Sequence, residues 1–150
     1  EAFTGRRSQE LPGAGAAGGL GFALLNFLNA DLKPGAELVL DTVRLEEHIQ
    51  DCDLVITGEG RLDAQTVMGK APIRVARLAK KYGLPVAAVT GAAGAGAEAC
   101  NEAGIDAFFP ILTSVVTLEE AMEQETARYN MALTAEQMMR LIRSCNRQKK

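Results

Sequence analysis

The sequence predicts an α/β fold, a Rossmann-like three-layer domain on a parallel sheet, preceded by part of a second α/β lobe. Three observations predict it. Short apolar runs recur at residues 53–57 (DLVIT), 85–90 (PVAAVT) and 105–112 (IDAFFPIL). Amphipathic helical patterns separate them. Glycine-rich segments follow the first two runs at 58–60 and 91–96. Apolar runs without polar alternation are the mark of strands covered on both faces, and strand–helix alternation is the mark of a parallel sheet.

Each element follows from its residues. Residues 73–82 put Ile73, Val75, Ala76, Leu78 and Ala79 on one side and Arg74, Arg77, Lys80 and Lys81 on the other, the spacing of an amphipathic helix. Gly83 is placed to end that helix and Pro85 to open the next strand. A short helix is expected over 97–103, stopped by Gly104, and Pro110 marks the third strand as an edge or a strand end. Thr117 with Glu120 forms a capping box for a helix running from Leu118 towards Ala132. Thr134 with Gln137 repeats the device for a last helix reaching Cys145, and 147–150 is a frayed basic end. Met122, Met131, Met138 and Met139 read as core filler.

The first third differs. Residues 12–21 (PGAGAAGGLG) lead into an apolar helix over 22–28, and Pro34-Gly35 turns the chain into an expected strand at 37–41. The expected boundary gives one unit at 1–42, the C-terminal part of a second lobe with the glycine-rich loop, and a Rossmann-like portion at 43–150. The chain starts at Glu1, and residues 1–11 are polar without periodicity, which reads as the start of a piece of something longer.

Composition excludes some functions. With 150 residues, 47% of them hydrophobic, the chain can build one ordinary core. A net charge of −3 gives no basic field for nucleic acid, and 5% aromatics without Trp gives little for bases to stack on. No apolar run approaches the ~20 residues of a membrane span. Cys52, Cys100 and Cys145 are odd in number and widely spaced, so neither a disulfide framework nor a zinc site is suggested, which fits a reducing cytoplasm. His48, the single histidine, follows Glu46-Glu47 and reads as a surface residue.

The chemistry concentrates in residues 53–72 (DLVITGEGRLDAQTVMGKAP). A folding loop needs glycine and a turn former. This one adds Glu59, Arg61, Asp63, Gln65, Thr66 and Lys70 just past a buried strand, where α/β sheets bind ligands. Gly69-Lys70 is no Walker loop, because Ala64 stands where a glycine is needed and Ala71 where Ser or Thr is needed. The parts for handling phosphate are nevertheless present. Gly58 and Gly60 let a backbone approach an anion. Arg61 or Lys70 can neutralise phosphate oxygens. Glu59 and Asp63 can ligate Mg²⁺, or one of them can accept a hydroxyl proton. The plain alternative is a surface loop held by Glu59–Arg61 and Asp63–Lys70 ion pairs. Gly13, Gly15 and Gly18 match a dinucleotide fingerprint in letters, but residues 6–10 (RRSQE) are no buried strand, which that motif requires. Close helix packing or an anion held on helix-terminal amides, Gly19 included, are the other readings. The 91–96 loop offers amides for a nucleotide, or is only a turn.

Together, GAGAAGGLG at 13–21, PGAELVLD, the DLVITGEGRLDAQTVMGKAP block and AAVTGAAG resemble the C-terminal portion of the bacterial glycerate kinase family over essentially the whole chain. The resemblance implies two α/β domains with the active site between them. It also implies ATP-dependent, Mg²⁺-assisted phosphorylation of D-glycerate to a phosphoglycerate, with residues 13–19 and 59–70 facing the cleft. Asp63, Lys70 and Glu59 are then the expected catalytic residues, with Asp63 or Glu59 holding Mg²⁺ or taking the glycerate hydroxyl proton. Arg61, with Gln65 and Thr66, is expected to bind substrate. Gly13, Gly15, Gly18, Gly19, Gly58 and Gly60 are expected to hold phosphate. The expected partners are glycerate and a nucleotide, without nucleic acid or membrane, and a homodimer stays open. Family members are much longer, so the 150 residues alone are expected to have little or no kinase activity. A non-catalytic dinucleotide-binding or assembly module built on GAGAAG is the alternative.

Overall fold

The computed structural model describes residue 5 and residues 8–147. It comprises two compact units, Glu1–Val39 and Leu40–Lys150. Most of the polar 1–11 segment, residues 6 and 7 included, and the basic end at 148–150 lie outside the described residues.

In the first unit, helix α1 (Ala16–Phe27) begins irregularly, with Ala17, Gly18 and Gly19 at positive φ. Regular helix follows. Gly21 is buried, and glycine is needed there because a Cβ would stand 2.2 Å from the carbonyl oxygen of Gly13. Ser8 Oγ donates to Asn26 Oδ1, tying the entry segment to the helix. The strand expected at 37–41 is instead helix α2 (Gly35–Thr42). Pro34 starts a helix here, its carbonyl accepting from Leu38 N–H. Glu37 in the first turn favours the helix dipole. Ala36 and Leu40, four apart, are its half-buried positions, which is helical spacing where alternation was expected.

The second unit opens within the last turn of α2 and continues into a short helix, α3 (Leu45–Ile49). Three strands follow, β1 (Val55–Leu62), β2 (Val86–Ala93) and β3 (Ala107–Pro110), parallel and in the order β1-β2-β3. Helix α4 (Ala71–Lys81) joins β1 to β2, and α5 (Ala99–Glu102) joins β2 to β3. Ile73, Ala76 and Ala79 of α4 are fully buried against Val55, Val86, Ala88, Cys100 and Ile105. Phe108 packs on the same cluster. Its neighbour Phe109 points to the opposite face, as strand alternation demands, and shares an apolar groove with Leu133, Met138 and Leu141 of α7 (Gln124–Arg147). Helices thus cover both faces, and the predicted parallel α/β architecture is observed.

Two strands are longer than their apolar runs. Val55 pairs with Val86 and the ladder continues to Leu62 opposite Ala93, so 58–62 and 91–93, expected as loops, are strand. Glycine permits this. A Cβ on Gly58 would stand 2.1 Å from the Val89 carbonyl oxygen, and one on Gly91 would stand 2.4 Å from that of Gly60. The third strand is shorter than expected and ends at Pro110, opposite Thr90. Asp106 fastens the sheet at its other end, accepting from Val86 N–H at 2.6 Å and pairing with Lys80 Nζ at 2.5 Å. Burial pulls the Asp106 carboxyl up, but the Lys80 and Val86 donors outweigh it and hold it below the ordinary aspartate range.

The C-terminal helices differ from expectation in their break. The Thr117–Glu120 capping box is present in full and starts α6 (Leu118–Met122). That helix stops after one turn because Glu123 is extended (ψ 131). The Glu123 carbonyl then accepts from Ala127 N–H, and its carboxylate accepts from Thr126 Oγ1, so the next helix starts there. Thr134 and Gln137 lie within α7 and cap nothing. Of the four methionines expected in the core, only Met138 is buried; Met122, Met131 and Met139 stand on the exposed sides of α6 and α7. His48 is exposed and the three cysteines are free. Among the described residues no helix is long and apolar enough to cross a membrane.

Candidate functional site

The site is built where β1 runs out. Glu59 and Arg61 are carried by the strand itself. Asp63 follows it in a tight turn: its Oδ1 accepts from Gln65 N–H at 2.9 Å, and its own N–H donates to Thr66 Oγ1 at 3.1 Å. A 3₁₀ turn (Thr66–Met68) comes next, ended by Gly69 at φ 108, a conformation that favours glycine. Lys70 is the N-cap of α4, and Pro72 in the first turn lacks only an N–H that the helix would leave unpaired anyway.

These elements bring five of the six predicted side chains into one cluster. Lys70 Nζ lies 3.8 Å from Glu59 Oε2 and 3.8 Å from Asp63 Oδ1. Arg61 Nε lies 4.0 Å from Asp63 Oδ2. Of the two ion pairs anticipated, Asp63–Lys70 forms, whereas Glu59 pairs with Lys70 and Arg61 with Asp63. All three pairs are at the long end of ion-pair geometry, so the charged groups keep capacity for other partners. Glu59 is 18% exposed and Lys70 41%, so the cluster opens to solvent on the lysine side. Thr66 is fully buried, and its hydroxyl donates to Glu59 Oε1. Gln65 is exposed.

The end of β2 supports this cluster. Gly94 N–H donates to Leu62 O at 2.7 Å, and Ala64 N–H donates to Ala95 O at 3.2 Å. A Cβ on Gly94 would stand 2.7 Å from Arg61 Nε, and one on Gly96 would stand 2.8 Å from Ala64 Cβ. The second glycine-rich loop therefore lies flat beneath the first. Thr90, missed by sequence reasoning, is buried at this junction: its hydroxyl accepts from Leu62 N–H and donates to Ala92 O. A polar residue closing an otherwise apolar strand was the available signal. Beneath lies Cys100, fully buried, whose thiol is pushed up first by burial and then by the Glu59 and Asp63 charges.

Glycines expected to hold anions fall into two kinds. Gly58 is explained by strand pairing, whereas a Cβ on Gly60 would meet nothing within 4 Å. In the first unit Gly13, Gly18 and Gly19 have positive φ, and Gly15 is exposed with open space around it. No strand precedes this segment among the described residues, so the dinucleotide fingerprint lacks its context.

For Mg²⁺, the donor set has the right chemistry. Two carboxylates are what this cation takes when phosphate and water complete its octahedron. Among the described residues no group of three or more potential ligands converges on one point.

Fold and site define a parallel α/β unit with a cluster of two carboxylates, an ammonium and a guanidinium past the end of its first strand. The family model of the glycerate kinase family matches residues 1–143, and the chain belongs to that family. It is 51% identical over 136 residues to the glycerate kinase of Halalkalibacterium halodurans, covering 87% of this chain and 36% of that protein. It is 54% identical over 113 residues to the glycerate 2-kinase of Escherichia coli, covering 75% of this chain and 30% of that one. The crystal structure of a protein assigned as glycerate kinase 2 of Salmonella typhimurium superposes with a TM-score of 0.67 at 41% identity, covering 90% of this chain and 34% of that one. The chain thus spans about a third of the length of these relatives.

Proposed function

We propose that this chain supplies one wall of the active site of an ATP-dependent glycerate kinase, which transfers a phosphoryl group to D-glycerate. The single observation that carries this is the convergence of Lys70 on both Glu59 and Asp63, with Arg61 alongside. Phosphoryl transfer asks for positioning and charge neutralisation, and this set offers both. Lys70 neutralises the transferring group. Asp63 or Glu59 takes the proton of the glycerate hydroxyl. Arg61 binds the substrate carboxylate through its fork of donors, with exposed Gln65 as a further contact. Gly60 leaves open space for a phosphate oxygen beside its backbone; within the first unit, Gly13, Gly15, Gly18 and Gly19 offer amides for an anion. Glu59 and Asp63 are the residues that would hold Mg²⁺, which neutralises phosphate charge when bound. The Escherichia coli relative, a glycerate 2-kinase, favours the 2-hydroxyl as acceptor. A cytoplasmic enzyme fits the free cysteines. Because the chain spans about a third of its relatives, the isolated 150 residues are expected to turn over little or no substrate.

The test is an ADP-release assay on a full-length glycerate kinase carrying this segment. Asp63→Asn should lower kcat by about 100-fold, the scale of a lost general base. Arg61→Ala should raise the KM for D-glycerate by about ten-fold or more, the scale of a lost charged hydrogen bond. Parental kinetics in both variants would remove this cluster from the reaction.

A further inference from the structure

The proposed function places Glu59 among the reacting groups, and the inference here rests on that reading. Thr66 was expected to touch substrate, yet none of its surface reaches solvent. Its hydroxyl has one proton and two partners. Asp63 N–H can only donate, so the Thr66 oxygen accepts there, at 3.1 Å. The proton is thereby left for Glu59 Oε1, which it meets at 2.5 Å. One carboxylate oxygen of Glu59 is thus tied inward, while the other, Oε2, faces Lys70 Nζ. The hydroxyl itself is fixed from below, because the turn that carries it is closed by Asp63 Oδ1 on Gln65 N–H and by Lys70 N–H on Thr66 O.

We propose that Thr66 is a positioning residue, whose hydroxyl sets the rotation of the Glu59 carboxylate and joins it to the Asp63 backbone, so that both acids face Lys70 in one fixed arrangement. A carboxylate on a strand has a broad terminal torsion. A single directed donor narrows it, and a side chain held by such a neighbour reacts faster without binding substrate more tightly.

The experiment compares T66V, T66S, E59Q and E59Q/T66V in a full-length glycerate kinase carrying this segment. T66V, which keeps the volume and loses the proton, should lower kcat roughly 10–100-fold and leave the KM for D-glycerate within about two-fold. T66S, which keeps the hydroxyl, should restore kcat to within about three-fold of the parent. In the E59Q background T66V should cost less than about three-fold more, because the two residues act as one unit. Parental turnover in T66V, an equal loss in T66S, or full additivity with E59Q overturns the inference. If T66V does not fold, Thr66→Cys, of similar size and with only a weak donor, takes its place under the same outcomes. E59Q separates the two levels. Parental turnover in E59Q refutes the role of Glu59 and this inference together, whereas a crippled E59Q with a normal T66V refutes only the inference.

Discussion

The ends of β1 and β2 lie side by side on the same edge of the sheet, yet they are built from opposite materials. Beyond Gly58, the end of the first strand and the turn into α4 carry Glu59, Arg61, Asp63, Thr66 and Lys70 within twelve residues. Beyond Thr90 the second carries only glycine and alanine through Ala97. The second is no weaker copy of the first. Its lack of side chains lets the two backbones run together to Leu62 and Ala93, and lets Arg61 lie over Gly94. One strand end presents charged groups and the other makes room for them. Glycine that looks like a ligand cradle in sequence serves here largely as a platform.

That division of labour can be broken at Gly91. A Cβ there would stand 2.4 Å from a backbone oxygen that cannot swing away. Gly91→Ala should therefore destabilise the unit by about 3 kcal/mol or more, at the upper end of overpacking costs, read as a fall in the denaturant midpoint of the full-length protein. A loss under about 1 kcal/mol would mean that the strands do not approach this closely.

Gly94→Ala sharpens the comparison, because its added Cβ meets the mobile end of a side chain that is 67% exposed. Stability should change by less than about 1 kcal/mol, as at most surface positions. Arg61 should be displaced, raising the KM for D-glycerate about five-fold, a part of what a charged hydrogen bond contributes. An unchanged KM would show that the platform does not place Arg61.

The smallest effect lies at the far end of the sheet. Asp106→Asn should cost less than about 1 kcal/mol near neutral pH, because the pair with Lys80 is half-exposed and an Asn oxygen still accepts from Val86 N–H. The folded-state carboxyl is held below its ordinary range, so its contribution is present above the ordinary aspartate value of about 3.9 and is lost as pH falls through the lower folded value. The melting difference between Asp106→Asn and the parent should therefore shrink as the medium is acidified through that window. A difference independent of pH would contradict it.

Much of this was legible in the residues. The three apolar runs became the three parallel strands, and Thr117-Glu120 capped its helix as its spacing demanded. The glycerate kinase resemblance rested on the 53–72 block, which is also where the charged cluster forms. What escaped reading was tertiary. Residues 37–41 look like a strand because Leu-Val-Leu suits either period, and the helix shows only in the half-burial of Ala36 and Leu40. Thr134-Gln137 has the letters of a cap, but the break falls at Glu123, where an extended backbone starts the helix eleven residues early. Thr66 reads as one more polar loop residue until its burial is known. A hydroxyl's partners are set by the fold around it, which sequence spacing does not report.

Lys70 is the centre of the proposed site, its ammonium joining the two acids. In a full-length glycerate kinase carrying this segment, the kcat for D-glycerate should be measured beside the melting temperature for Lys70→Met. Removing one preorganised charge from a phosphoryl-transfer site should lower kcat by about 100-fold or more, while the half-exposed ion pairs it breaks should cost under about 1 kcal/mol of stability. A variant that melts like the parent and keeps kcat within about three-fold would contradict the account, since the cluster would then be a solvated set of ion pairs.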